Sequence, residues 1–385
     1  MEMRVLNKSI CLKSMESTLL YQIALTMAKG VGIHTIKNLL SAWGEEANVF
    51  NRTLQELQSI PNIGETTAQN LQDSLLLEKA KKELNFVARI GGRAIPYTSE
   101  DYPTRLRECN DAPFILYTKG NINFNVQHAI GIVGTRKMTN YGKEICEEII
   151  SDLADKYPDL LVISGLAHGV DGCAHKKALD LGLSTIGVVG HGLDLMYPAQ
   201  HRALAEKMME KGGMVTEYRA GCFVDKKNFV SRNRIIAGLS DVILVVESGE
   251  KGGALFTAEF ANSYNRDVCA IPGRIGDSCS AGCNQLIKSH QAVMVESAEE
   301  IEKLMNWDVS KATHPTINIS KFMALSGEQK IIVEALQLSE RMEINELVKK
   351  TQIPYGKLSS LLFEMEMDDL VRTAPGNVYY LPIGR

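Results

Sequence analysis

The feature that most narrows the fold is a series of short, wholly apolar runs separated by helix-like stretches. The runs fall at 129–133, 161–163, 185–189, 214–216, 242–246, 268–271 and 292–295. Most are followed by a glycine-bearing loop and then a helical pattern, as at 141–156 and 199–211. Short strands without a polar side belong in a sheet covered on both faces, and alternation with helices makes that sheet parallel. An α/β domain over 96–307 is expected on this ground. Ligands of such sheets sit beyond the carboxyl ends of the strands, so the loops after the runs carry the functional signal.

Four of those loops are basic or glycine-rich. The first holds Gly134, Thr135, Arg136 and Lys137; the glycine frees the backbone, and the hydroxyl and guanidinium suit a phosphate. It lacks the G-x-G-x-x-G spacing of a dinucleotide site. The second runs from Ser164 and Gly165 to Asp171 and opens a helix bearing His175, Lys176 and Lys177. The amides at that helix start are expected to form an anion seat. The third, read as a loop, places Phe229 beside Arg232, Asn233 and Arg234. A ring for a base and guanidiniums for phosphates suit single-stranded nucleic acid. The fourth contains Lys251, Gly252 and Gly253. Each has a plainer reading: Arg136 or Arg234 paired with a carboxylate such as Asp171 or Glu247, and Phe229 in the core. Convergence of the four at one sheet edge favours a ligand site.

The flanks read differently. Residues 1–95 are helical in pattern and repeat one phrase, Lys29-Gly30-Val31-Gly32 and Pro61-Asn62-Ile63-Gly64, each before a helix (33–43 and 65–77). This resembles a helix-hairpin-helix pair, whose turn cradles a DNA phosphate; the same hairpin also serves as a protein-contact module. A polar linker with Pro315 covers 308–322, and 323–385 reads as a winged helix. Its helices are expected at 328–338, 344–350 and 355–367, with a β-hairpin wing turning at Ala374-Pro375-Gly376-Asn377. The third helix sets Lys357, Ser359 and Ser360 against Glu364, Glu366, Asp368 and Asp369. So acidic a helix is poor for duplex DNA and points to a protein-contact or architectural role.

Composition limits the partners. At 385 residues with 45% apolar side chains the chain supports two or three domains with real cores. A net charge of −4 gives no general attraction for nucleic acid, so any DNA site is a local patch. Eight scattered cysteines suggest reduced thiols and a cytoplasmic protein. Cys279 and Cys283 have no second Cys/His pair nearby, so neither metal nor cofactor is expected. The apolar stretch 19–28 contains Gln22 and leads to no cleavage site, unlike a signal peptide.

Several runs together resemble the DprA/Smf family. They are Tyr102-Pro103, Ile132-Val133-Gly134-Thr135-Arg136, Ser164-Gly165-Leu166-Ala167 with Gly169-Val170-Asp171 and Ala174-His175, Gly192-Leu193-Asp194 with Tyr197-Pro198, Arg232-Asn233-Arg234-Ile235-Ile236-Ala237-Gly238, and Ile271-Pro272-Gly273. The resemblance covers about 200 residues in order. It implies a Rossmann-like domain and a homodimer without catalysis. Such a protein binds and protects single-stranded DNA and loads the RecA recombinase in natural transformation. Carried over, Arg136 and the stretch from Phe229 to Arg234 are its DNA contacts. The chain departs from the family at Lys251-Gly252-Gly253-Ala254-Leu255, His290-Gln291-Ala292 and Phe229-Val230.

An enzymatic alternative rests on Gly252-Gly253-Ala254-Leu255-Phe256-Thr257-Ala258-Glu259. It resembles the Pro-Gly-Gly-x-Gly-Thr-x-x-Glu loop of phosphoribohydrolases but lacks the proline and is one residue too long. Glu259 is then the candidate acid or base. No G-x4-G-K-[ST] or H-E-x-x-H motif occurs.

Overall fold

A computed structural model describes residues 18–44, 46–307, 326–337, 342–367, 370–374 and 378–381. The expected linker 308–322, the wing turn 375–377, and Asp368 and Asp369 lie outside the described residues. The described residues up to Met305 form one compact unit and those from Asn306 onward a second.

The first unit is built on a nine-stranded sheet. Its strands are β1 Gly92–Pro96, β2 Ile115–Gly120, β3 Ala129–Val133, β4 Leu161–Ser164, β5 Ser184–Val188, β6 Gly212–Thr216, β7 Val242–Val245, β8 Asp267–Ala270 and β9 Val293–Met294. Their order is β1-β2-β6-β5-β4-β3-β7-β8-β9. From β6 to β9 all neighbours are parallel. Every residue of β3, β4 and β7 is buried, which is why those strands are apolar throughout. The sheet is not wholly parallel. β1 and β2 add an antiparallel edge, β2 pairing antiparallel with β6. Helices Asn140–Lys156, Val170–Asp180, Arg202–Met208, Lys226–Leu239 and Gly253–Ser263 connect the parallel strands.

The N-terminal helices cover residues 18–27, Ile33–Trp43, Glu46–Val49, Leu54–Gln58, Glu65–Leu71 and Leu75–Arg89. The helix expected over 65–77 breaks at 72–74, where Asp73 Oδ1 accepts the Leu75 amide at 2.9 Å. Gly30 and Asn62 take the left-handed conformation that the two hairpins require (φ 86° and 68°). Asn70 Nδ2 ties the hairpins together by donating to Lys29 O at 2.9 Å. Strand β1 runs across the expected boundary at residue 95. The helices share one core with the edge strands: Ile23, Leu25, Ile36, Leu39 and Val87 pack with Phe114, Ile115 and Tyr117.

In the second unit, helices Gly327–Gln337, Ile344–Thr351 and Tyr355–Met367 enclose Ile332, Leu336, Leu347, Leu358, Leu362 and Met365. Strands Met342–Glu343, Val378–Tyr380 and Arg372–Ala374 form a small antiparallel sheet beside them, the winged-helix arrangement. Lys357 of the third helix is held by Glu328 at 2.7 Å. Among the described residues no helix is long and apolar enough to cross a membrane.

Candidate nucleic-acid interface

The chain lays down β3, β4, β5 and β6 in one direction, then returns to place β7 on the other side of β3. Loops leaving β3 and β7 therefore diverge, and the divergence opens a crevice at the carboxyl ends of these strands. A cavity of about 430 Å³ occupies it. Gly134, Thr135, Arg136, Phe229, Arg232 and Asn233, all expected site residues, line it together.

The loop after β3 is fixed from both sides. Thr135 donates its amide to Glu247 O at 2.7 Å, and its carbonyl accepts from Val170 N at 3.2 Å. Gly134 leaves no room for a side chain: an added Cβ falls 2.5 Å from Val170 Cγ2 and 2.9 Å from Glu247 O. Gly169, at φ 76°, comes so close that a Cβ there falls 2.2 Å from Thr135 O. The buried Glu247 carboxylate accepts from Thr139 N at 2.8 Å and from Thr139 Oγ1 at 2.5 Å. Arg136, carried on this rigid loop, is exposed. Among the described residues no carboxylate pairs with it, so neither Asp171 nor Glu247 takes the guanidinium out of use.

The stretch read as a third loop is instead the helix Lys226–Leu239. Asp225 caps it, its side chain accepting the Lys227 amide. Helical phase then separates the residues that had been grouped. Lys226, Phe229, Val230 and Asn233 follow i, i+3, i+4, i+7 spacing and face the cavity. Asn233 Nδ2 donates to Gly253 O at 3.1 Å, which anchors the start of the helix Gly253–Ser263. Phe229 and Tyr197 stand at the mouth with ring centroids 5.5 Å apart and planes tilted by 50°.

The two arginines of this helix correct the expectation of free DNA contacts. Arg232 is 4% exposed and donates to Gly165 O at 2.6 Å and to Val188 O. Burial pushes its pKa down to about 10, against the pull of nearby Asp171. Asp171 is itself raised by burial, an effect that Arg232 opposes. Arg232 therefore forms the charged floor of the cavity. Arg234 points away, pairing with Glu217 and donating to Asp111 O at 2.7 Å. Both are held by internal acceptors because a buried guanidinium needs them.

Other expected residues fall elsewhere. Ser164 is buried and donates to Ile132 O at 2.6 Å. Gly165 backs onto Arg232, where a Cβ would come within 2.6 Å of a guanidinium nitrogen. The amides expected to make an anion seat are satisfied from within: Val170 N by Thr135 O, and Gly172 N by Ala167 O at 3.1 Å. Lys176 and Lys177 sit in the second half of Val170–Asp180, outside the cavity lining. Lys137 and Lys251 are exposed on loops adjoining the cavity. The helix start that does open into it is Gly252, Gly253 and Ala254; the Gly252 amide donates to Gly249 O at 3.0 Å, and those of Gly253 and Ala254, in the first turn, have no intrahelical acceptor. Glu259 is exposed and not among the lining residues. Cys283 lies in the core, its thiol pushed up to about 12 by burial.

Among the lining residues not expected at the site, Lys226 and Tyr197 bear the most on a ligand. Lys226 would have followed from reading Asp225 as an N-cap and applying helical spacing from Phe229. Tyr197 reaches the cavity from the segment after β5; the family-like run Tyr197-Pro198 marked it in the sequence without giving it a role.

Comparison with known proteins adds three matches along the chain. Residues 93–306 match the family described as DNA recombination-mediator protein A. Residues 23–75 match the SAM-like helix-hairpin-helix tandem, and residues 323–377 the DprA winged helix domain. A putative DNA processing protein DprA of Mycobacterium tuberculosis is 34% identical over 252 residues, 62% of this chain and 64% of the relative's length. DNA processing protein A of Streptococcus pneumoniae superposes with a TM-score of 0.64 at 31% identity, over 74% of this chain and 97% of that one. DNA processing protein A of Helicobacter pylori, described for its single-stranded DNA binding mode, gives 0.51 at 26% identity, over 57% and 98%.

Proposed function

Because the chain belongs to the DNA recombination-mediator protein A family, the DprA/Smf proteins, we propose that it binds single-stranded DNA in the cavity between the ends of β3 and β7. The observation that carries this reading is Arg136: an exposed guanidinium without a carboxylate partner, on a loop locked by Thr135 and Gly134 at the cavity rim. Opposite it stand Lys226 and the tilted pair Tyr197 and Phe229. Cations for phosphates beside rings for bases suit a flexible single strand, whose bases are free to leave the stack. The Helicobacter pylori relative, described for that binding mode, supports the same ligand.

On this reading Gly134, Thr135, Arg136, Phe229 and Asn233 contact DNA directly, with Lys137 and Lys251 supplying charge at the edges. Arg232 acts from beneath by holding the floor. The protein protects incoming DNA and passes it to the RecA recombinase in the cytoplasm during natural transformation. A homodimer fits the sheet edge at β9, where Val293 and Met294 are 47% and 51% exposed and the strand has an unpaired side. The winged helix serves a protein contact. With Glu259 outside the cavity, a binding module is favoured over a hydrolase.

The test is Arg136→Ala, titrated against labelled single-stranded DNA. Losing one charged hydrogen-bonding group should weaken binding by about 1.5–3 kcal/mol. The slope of log affinity against log salt should shrink by about 0.7, one released counterion on a single strand. Unchanged affinity and slope would remove the cavity as the site.

A further inference from the structure

We propose, resting on the cavity reading above, that Phe223 is a stacking platform for a base of the same strand just outside the cavity. Phe223 is 91% exposed, more than any other Phe, Tyr or Trp among the described residues. It lies in the segment joining β6 to the helix Lys226–Leu239. A bare phenyl ring is unfavourable in water, and a mobile loop would fold it away. This segment is held instead. Gly221 N donates to Asp194 Oδ2 at 2.9 Å, and Ala220 N to Glu83 Oε1 at 3.0 Å. Asn228 Nδ2 donates to Phe223 O at 3.0 Å, fixing the ring's backbone to the helix turn that carries Lys226 and Phe229.

The surroundings identify the occupant. Arg219, Lys226 and Lys227 are exposed near the ring in sequence; among the described residues none forms an ion pair within 4.0 Å, and Glu83, which accepts from Ala220 N, is the carboxylate within electrostatic reach of Arg219. The nearby carboxylates are engaged: Asp225 accepts from Lys227 N and Asp194 from Gly221 N. Val224 and Val230 are also exposed, at 44% and 37%. An apolar protein surface would gain nothing from three cations, whereas a nucleotide uses a ring for its base and a cation for its phosphate. Phe223 is tied through its carbonyl to Asn228, the residue before cavity-lining Phe229, so on this proposal a strand leaving the cavity past Lys226 meets the exposed ring next.

The experiment uses the full chain and oligothymidylate. In Phe223→Trp, tryptophan emission should be quenched at saturation beyond the change seen in the unaltered chain, whose only tryptophans are Trp43 and Trp307. Phe223→Ala should weaken binding by about five-fold or more, the lower end for one stacked base. If Phe223→Trp binds without added quenching and Phe223→Ala keeps its affinity, the platform is overturned. Loss of self-association in sedimentation with unchanged DNA affinity would assign the patch to a protein contact and overturn it too. Arg136→Ala in parallel separates the two readings. Weakened binding there with silent Phe223 variants rejects the platform alone. Quenching in Phe223→Trp with a silent Arg136→Ala rejects the cavity and keeps the platform.

Discussion

Arg232 and Arg234 lie two positions apart on one helix, and a rotation of about 200° between them decides what each does. One forms the cavity floor and the other locks Asp111 and Glu217 on the far side. Composition alone cannot distinguish them, because the sequence shows two arginines in a polar run and only helical phase separates them. Arg136 was legible for the opposite reason: it follows a strand end and a glycine, where the chain must turn outward. His175 was read only as part of a helix near the site, and its role is structural. Its Nδ1 lies 2.7 Å from Thr185 Oγ1, whose proton goes to Val162 O, so Nδ1–H donates and Nε2 is left without a partner. Burial drives its pKa down to about 3, with His201 and Arg232 adding to the effect. A depressed histidine favours the folded state while neutral, so its contribution is complete above about pH 6.5 and is lost as pH falls toward 3. Between pH 6.5 and 5 this group alone should cost up to about 1.4 kcal/mol per pH unit. Chemical denaturation across that window checks it: the slope should flatten in His175→Gln, and an unchanged slope would show that the imidazole is not the titrating group.

Elements were readable where burial is uniform. Strands β3 to β8 are apolar on both faces because helices cover both, and a run of Val, Ile and Leu between glycine loops has few other meanings. β1 and β2 escaped notice as strands: β1 alternates exposure only partly, and the short apolar stretch Ile115-Leu116-Tyr117 of β2 has no strand punctuation. The helix Lys226–Leu239 escaped notice because its apolar residues Ile235, Ile236 and Leu239 crowd the last turns, leaving only Phe229 and Val230 apolar in the first two. The site also depends on contacts between elements that no local pattern reveals. Gly169 is where the start of Val170–Asp180 touches the β3 loop, with Thr135 O in the place of its missing Cβ. Gly169→Ala should therefore act on both. The backbone of Gly169, at φ 76° and ψ −127°, costs a non-glycine residue about 1–3 kcal/mol by itself, and relieving the clash displaces the carbonyl next to Arg136. A lower melting temperature together with weaker single-strand binding is expected. Lower stability with unaltered affinity would mean that the loop does not position the arginine.

At the scale of the whole molecule, a net charge of −4 and an acidic third helix in the second unit leave little to attract a duplex. Lys357, the one basic side chain on that helix, is already engaged by Glu328. The domain order was legible because its three patterns differ in kind: paired hairpin phrases, alternating strands and helices, and three short helices before a wing. The intimacy of the first two was not, since the core shared by Ile23, Val87 and Tyr117 joins residues far apart in sequence. What remains is a local basic and aromatic cavity on an acidic protein. Such a site should discriminate by strand flexibility and depend on salt. The most direct measurement is an anisotropy titration of the full chain with one labelled sequence, single-stranded and as duplex, over rising salt. Tighter binding of the single strand at every salt concentration, with affinity falling as salt rises, is the predicted result. Equal or tighter binding of the duplex would contradict the account.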